Sequence, residues 1–279
     1  MMELQCGRHS LSLAQPQIMG ILNVTPDSFS DGGKHNELEV ALAAARQMVA
    51  DGATLIDVGG ESTRPGAAEV SLDEELARTV PVIERIAAEL EVVISIDTSK
   101  AQVMREAVAA GAGMINDVRA LQAPGALEAA AETEAAICLM HMQGQPRTMQ
   151  DNPSYQDLFG EINAFFTERV KACQLAGIDA SRIVLDPGFG FGKTLEHNYR
   201  LLGRLDGLRL HERPLLIGLS RKSMIGNVIE RPAEQRVVGS AVGALLAAQQ
   251  GAEILRVHDV AATADALKVW QRMHQYQMD

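Results

Sequence analysis

Val92–Val118, VVISIDTSKAQVMREAVAAGAGMINDV, holds the pattern on which the fold reading turns. A short apolar run, Val92–Asp97, stops at a carboxylate. Ala101–Ala110 follows with apolar residues at helical spacing, and Ala110-Gly111 leads into a second apolar run, Met114–Val118. Runs this short and this rich in Ile and Val behave as strands buried on both faces, which is the habit of parallel sheets. Glycine suits the junction because it reaches the left-handed conformation that ends a helix.

The same unit recurs in both directions. Ile18–Val24, Leu55–Val58, Ala136–Met140, Ile183–Asp186, Leu215–Leu219 and Ile254–Val257 are further strand-like runs. Asn36–Ala50, Leu72–Leu90, Tyr155–Leu175 and Ala233–Gln250 are among the helical stretches between them. Asp51-Gly52, Ala176-Gly177 and Gln250-Gly251 repeat the glycine junction. About eight β-then-α units, with no Pro/Gly/Ser linker between them, predict an α/β fold, a (β/α)8 TIM barrel forming a single domain over residues 1–279, rather than an open doubly wound sheet. Met2–Leu13 alternates weakly and predicts a short N-terminal hairpin that plugs the bottom of the barrel.

The polar residues stand where the strands stop: Asn23, Asp57, Asp97, Asn116, Asp186, Lys222, and Arg256 with His258. Barrels of this kind build their active sites from strand ends at one rim. The two-residue strand period puts Arg256 and His258 on one side, where an Arg fork beside a His forms an anion clamp; Arg64 offers a third donor from across the rim. Asp186, on the same side of its strand as Val184, could accept two parallel N–H donors from a guanidine-like heterocycle, and Asp97 is placed likewise with Val93 and Ser95. The alternative for either acid is a salt bridge to a barrel Lys or Arg. Lys222 reads as a Schiff-base nucleophile or as a fixed ammonium donor. Asn23 and Asn116 could equally cap a turn. His141 closes the fifth strand and reads as structural. Two polar loops, Thr25–Gly33 and Gly59–Gly66, are long enough to cover a site.

Other chemistries lack support. Gly192-Lys193-Thr194 resembles the end of a phosphate loop, but Pro187 stands where its first glycine belongs; Lys193 likewise replaces the last glycine of a dinucleotide fingerprint. HExxH and GxSxG motifs are absent from the sequence. The net charge of −11 is spread along the chain and argues against a nucleic-acid partner, while leaving room for a small anion. Cys6, Cys138 and Cys173 show no CxxC pairing, so neither a disulfide framework nor a cysteine metal site is expected. With no apolar leader and no run near the ~20 apolar residues of a membrane span, a cytoplasmic protein without a membrane partner is expected.

Seven blocks, IMGILNVTPDSFSDGG (Ile18–Gly33), LIDVGGESTRPGA (Leu55–Ala67), ISIDTSK (Ile94–Lys100), MINDV (Met114–Val118), LDPGFGFGKT (Leu185–Thr194), IGLSRKSMIG (Ile217–Gly226) and RVHDV (Arg256–Val260), resemble those of bacterial dihydropteroate synthases, in the same order. The resemblance implies a transferase of folate biosynthesis. Such an enzyme joins 6-hydroxymethyl-7,8-dihydropterin pyrophosphate to p-aminobenzoate, releases pyrophosphate, and is blocked by sulfonamides. It implies pterin binding by Asp97, Asn116, Asp186 and Lys222. Pyrophosphate would lie on Asn23, Thr63, Arg64, Arg256 and His258, with Asn23 also near Mg2+. The p-aminobenzoate would lie among Phe29, Asp31, Thr63, Pro65, Phe191, Ser220 and Lys222. Catalytic weight would fall on Asp97, Asp186, Lys222, Arg256 and Arg64, and a homodimer is implied. Competing readings are a pterin-binding methyltransferase barrel, which has no need of the Arg64, Arg256 and His258 clamp, and a Schiff-base aldolase built on Lys222.

Overall fold

Alternate residues of a strand face opposite sides, and this sorts the barrel into an inner and an outer layer. The computed structural model describes residues 3–25, 33–62, 69–144, 149, 152–208 and 212–276, with the backbone alone for 33–36. A hairpin, β1 (Glu3–Cys6) and β2 (His9–Ser12), precedes β3 (Gln17–Asn23), β4 (Leu55–Gly59), β5 (Val93–Asp97), β6 (Met114–Asp117), β7 (Ala136–Met140), β8 (Ile183–Asp186), β9 (Leu216–Ile217) and β10 (Ile254–Val257). Around them run α1 (Gly33–Ala50), α2 (Leu72–Glu89), α3 (Ala101–Ala109), α4 (Ala126–Ala131), α5 (Leu158–Leu175), α6 (Leu195–Gly203), α7 (Ser223–Ile229), α8 (Val237–Gln249) and α9 (Val260–Gln275). The parallel order is β8-β7-β6-β5-β4-β3-β10-β9, and a Leu185–Leu215 bridge joins its two ends, so the sheet closes into the expected barrel.

The outward set, including Ile56, Val58, Ile94, Ile96, Ile115, Leu139 and Leu185, packs on Ile83, Ile86, Val103, Phe166 and Leu201 of the helices in one continuous core. Met19, Leu55, Val93, Met114, Ala136, Val184, Leu216 and Ile254 point inward and meet Leu4, Cys6, Leu11 and Leu13 of the hairpin. Each Leu, Ile, Val or Met among them contributes about 1.5–3 kcal/mol on burial, and together they form one buried cluster that fills the barrel floor. The expected plug is therefore present. Gly113, at the entry to β6, lies against it: a Cβ there would sit 2.4 Å from the Cys6 carbonyl oxygen. Gly113→Ala must push the hairpin off the floor and is expected to cost about 1–3 kcal/mol, read as a shifted denaturant midpoint.

Gly52, Gly111, Gly177 and Gly251 have φ of +112°, +118°, +87° and +91°, so the four glycine junctions read from the sequence are left-handed helix ends. The ninth strand is shorter than Leu215–Leu219. Pro214 has no N–H, the Leu215 N–H goes to Glu253 Oε2 at 2.8 Å, and only Leu216 and Ile217 pair with β10.

Candidate active site

Two residues beyond the apolar floor, the inner layer turns polar. Asp57, Ser95, Asn116, Asp186 and Arg256 occupy the next step of their strands, with Asn23 and Asp97 one step further toward the rim. Asp57, Ser95, Asn116, Asp97 and Asp186 are all buried. Carboxylates so placed need donors. Arg256 supplies them: Nε donates to Asp57 Oδ2 at 2.6 Å and Nη2 to Asp97 Oδ2 at 2.8 Å. Asn116 Nδ2 adds a second contact to the same Asp57 oxygen, at 3.2 Å.

Asp57 is thus the hub of this side of the barrel, although the sequence reading named it only as a strand-end acid without a role. Its other oxygen, Oδ1, is buried without a hydrogen-bond partner among the described residues, as is Ser95 Oγ across the β4–β5 register. Unmatched buried polar atoms are costly, and a cluster of them marks a site shaped for something other than packing.

Opposite stand Asp186 and Lys222. Asp186 Oδ1 accepts the Gly188 N–H at 2.7 Å, and Lys222 Nζ donates to the Phe189 carbonyl at 2.6 Å while lying 4.7 Å from the centre of the Phe191 ring. Burial raises the Asp186 carboxyl above its ordinary value, opposed chiefly by the Lys222 charge and next by the Gly188 N–H and Arg256. Burial lowers Lys222 to about 8, opposed chiefly by Asp186. Burial pushes Asp97 up to about 7 despite the pull of Arg256. Acids and cations from β5, β8, β10 and the segment after β9 therefore act on one another within one barrel mouth.

Arg256 lies in β10 and His258 just after it, and they take different partners. Arg256 reaches across to the acids, whereas the His258 N–H donates to Ser220 Oγ at 3.2 Å and its Nδ1 lies 3.1 Å from the same oxygen. Asn23 ends β3 beside Asp97: a Cβ on Gly59 would lie 3.6 Å from Asn23 Oδ1 and 3.9 Å from Asp97 Oδ2. Phe191 packs with Met140 and Met149. Phe29, Asp31, Thr63, Arg64 and Pro65 lie outside the described residues. The stem of the second loop is tied down by Lys100, whose Nζ contacts both Glu61 and the buried Glu75; Glu75 also accepts from Thr98 Oγ1 at 2.6 Å.

Residues 19–258 match the family of pterin binding enzymes. The dihydropteroate synthase of Escherichia coli K12 is 58% identical over 260 residues, covering 93% of this chain and 92% of the relative. The chain belongs to the dihydropteroate synthases. The structure of the Yersinia pestis dihydropteroate synthase with a sulfonamide drug superposes with a TM-score of 0.94 at 56% identity, covering 98% of this chain and 100% of that one. The Xanthomonas albilineans dihydropteroate synthase with 4-aminobenzoic acid gives 0.92 at 52% identity, covering 98% of each. For a dihydropteroate synthase, the structure brings together Asp97, Asn116, Asp186 and Lys222 around Arg256. It adds Asp57 to them, on which Asn116 and Arg256 both converge.

Proposed function

We infer that this chain, a transferase of folate biosynthesis, condenses 6-hydroxymethyl-7,8-dihydropterin pyrophosphate with p-aminobenzoate to give 7,8-dihydropteroate and pyrophosphate. One observation carries the reading at this site: buried Asp97 and Asp186 share a barrel mouth with Lys222 and Arg256. A flat heterocycle with a guanidine-like edge finds two carboxylates to accept its N–H groups and an ammonium for a ring carbonyl or nitrogen, while its diphosphate reaches the rim.

An arylamine is a poor nucleophile and largely neutral at pH 7, so a strong base would gain little. The effective step is departure of diphosphate. The substitution is dissociative: the methylene C–O bond breaks, its electron pair leaves on diphosphate, and the pterin methylene carries cationic character shared with the ring. The amine nitrogen then forms the new C–N bond and loses a proton. Asp97 and Asp186 favour the positive ring; Arg64, Arg256 and His258 favour the anion.

Asn23 fits a magnesium brought in with the substrate. Among the described residues no group of three or more His, Cys, Asp or Glu could hold a metal, so the ion would depend on phosphate oxygens and water, with one amide oxygen from Asn23. When bound it would offset diphosphate charge. Phe191, Ser220 and Lys222, with Phe29, Asp31, Thr63 and Pro65, form the aminobenzoate side, where sulfonamides would compete.

The decisive assay mixes purified protein, dihydropterin pyrophosphate, p-aminobenzoate and Mg2+: pyrophosphate release that requires the arylamine supports the reading, and release without it overturns it. The pH profile follows from the acids. Asp97 lies above its ordinary value, so its carboxylate form is lost as pH falls through about 7. The kcat/KM for the dihydropterin substrate is expected to drop about tenfold per unit below that point, and Asp97→Asn to abolish this acidic limb.

A cytoplasmic homodimer fits the surface. No described helix is long and apolar enough to cross a membrane. Val238, Val242 and Leu246 form an exposed stripe on α8, joined by Val269 and Met273 on α9. A second copy would cover it. Sedimentation is expected to give twice the chain mass, and Val238→Glu with Val242→Glu to give the monomer.

A further inference from the structure

The turn after β8 carries Phe191 on three left-handed glycines, Gly188, Gly190 and Gly192, with φ of +69°, +79° and +63°. The Phe191 N–H closes the turn onto the Gly188 carbonyl at 3.0 Å, and glycines leave the rest of its shape to the groups that hold it. Two of its ties come from substrate groups: Asp186 takes the Gly188 N–H and Lys222 the Phe189 carbonyl. Both groups also face the pterin in the proposed function, Asp186 through the oxygen that Gly188 does not take. Further ties come from residues outside the pterin site. Gly190 N–H donates to Asn198 Oδ1 at 2.8 Å, Tyr155 O–H to the Gly192 carbonyl at 2.9 Å, and Lys193 reaches back beneath the turn.

Lys193 is 2% exposed. Its Nζ lies 3.0 Å from His141 Nδ1, 3.1 Å from the Phe191 carbonyl oxygen and 3.5 Å from the His141 carbonyl oxygen. The His141 ring is fixed edge-on to Phe165 at 5.0 Å and lies 6.1 Å from Tyr155. Burial and the neighbouring Lys193 charge pull His141 down to about 3, so the ring is neutral and can offer a lone pair to the ammonium. Lys193 is itself lowered to about 7 by burial, an effect opposed by the Asp186 charge and reinforced by that of Lys222. Buried lysine is costly unless its donors are used, and here three acceptors converge on it. An apolar side chain would fill the space but leave the Phe191 carbonyl without this donor.

We propose that Lys193 is a positioning residue for the second substrate: its ammonium, held by His141 and the Phe191 carbonyl, sets the Phe191 ring opposite Lys222. The inference rests on the reading that Phe191 and Lys222 line the aminobenzoate pocket. Lys193 acts through Phe191, and its partners, His141 and the Phe191 carbonyl, are not groups that bind the pterin. This gives a function to the lysine of the broken phosphate-loop match and to a histidine that read as structural.

The test is Lys193→Met, which keeps the aliphatic stem and removes the donors. The KM for p-aminobenzoate is expected to rise about tenfold, while the KM for dihydropterin pyrophosphate and kcat stay within about twofold and the near-ultraviolet circular dichroism is retained. Equal movement of both KM values, or of neither, overturns the proposal. Phe191→Ala, measured beside it, separates the two readings. An unchanged aminobenzoate KM in Phe191→Ala removes the pocket and this inference together. A raised KM there with an unchanged one in Lys193→Met removes this inference alone. Should Lys193→Met fail to fold, His141→Phe keeps the ring stack and deletes the acceptor; a wild-type aminobenzoate KM in that variant overturns the proposal.

Discussion

Arg256→Ala is expected to lower turnover ~100- to 1,000-fold, the usual effect of deleting one donor that stabilises charge developing in a transition state. The structure adds a second loss. Arg256 is hydrogen-bonded to Asp57 and Asp97, and its charge is the main influence opposing the burial that pushes Asp97 up to about 7. Without it Asp97 titrates higher and is protonated at neutral pH, so the acceptor proposed for the pterin would be lost along with the proposed anion donor. The acidic limb of the pH profile should therefore move toward higher pH in the variant. The same proton uptake limits the damage to folding, because Asp97 need not stay buried as an unpaired anion. Arg256→Lys keeps a charge but not the fork between two acids, so it should recover only part of the rate. Steady-state kinetics beside a thermal melt check these expectations. Normal turnover in Arg256→Ala would overturn the diphosphate assignment.

The double role of Arg256 marks the boundary of what the sequence shows. Strand period places Arg256 and His258 on one side; β10 itself ends at Val257, and Arg256 is the one of the two that reaches the barrel acids. What a period cannot show is which residues of other strands stand at the same height. Arg256 pairs in register with Met19 of β3, yet its guanidinium crosses the barrel to Asp57 on β4 and Asp97 on β5. That reach depends on barrel closure, a property of all the strands together. Gly218 also leaves space next to it: a Cβ there would lie 3.7 Å from Arg256 Cβ.

The elements were legible wherever one local rule decided them. Glycine junctions, Ile- and Val-rich runs and their polar ends each follow from a few neighbouring residues, so the barrel and its functional rim emerge from the chain alone. Asp57 shows the limit, since its value lies in two partners at positions 116 and 256. Lys193 and His141 show it again. Each read as unremarkable in its own segment, and only the folded distance of 3.0 Å between them gives the pair meaning.

Asp186→Asn is expected to be the more damaging substitution, with kcat/KM for dihydropterin pyrophosphate reduced ~1,000- to 10,000-fold, because a site built to accept two N–H groups is then faced with a donor. The variant is well suited to isolate that effect. Asparagine retains one carbonyl oxygen, which can still accept the Gly188 N–H now taken by Oδ1 at 2.7 Å, so the Gly188–Gly192 turn keeps its first tie. The change is concentrated on the oxygen left for the ligand. It also removes the charge that does most to support the Lys222 ammonium, so Lys222 should fall below its present value of about 8 and the basic limb of the pH profile should move down with it. The p-aminobenzoate KM, extrapolated to saturating pterin, should change much less, since Phe191 retains its other supports. A variant with wild-type kcat/KM would show that Asp186 does not hold the ring. Equal loss in both KM values would show that its work is to shape the turn.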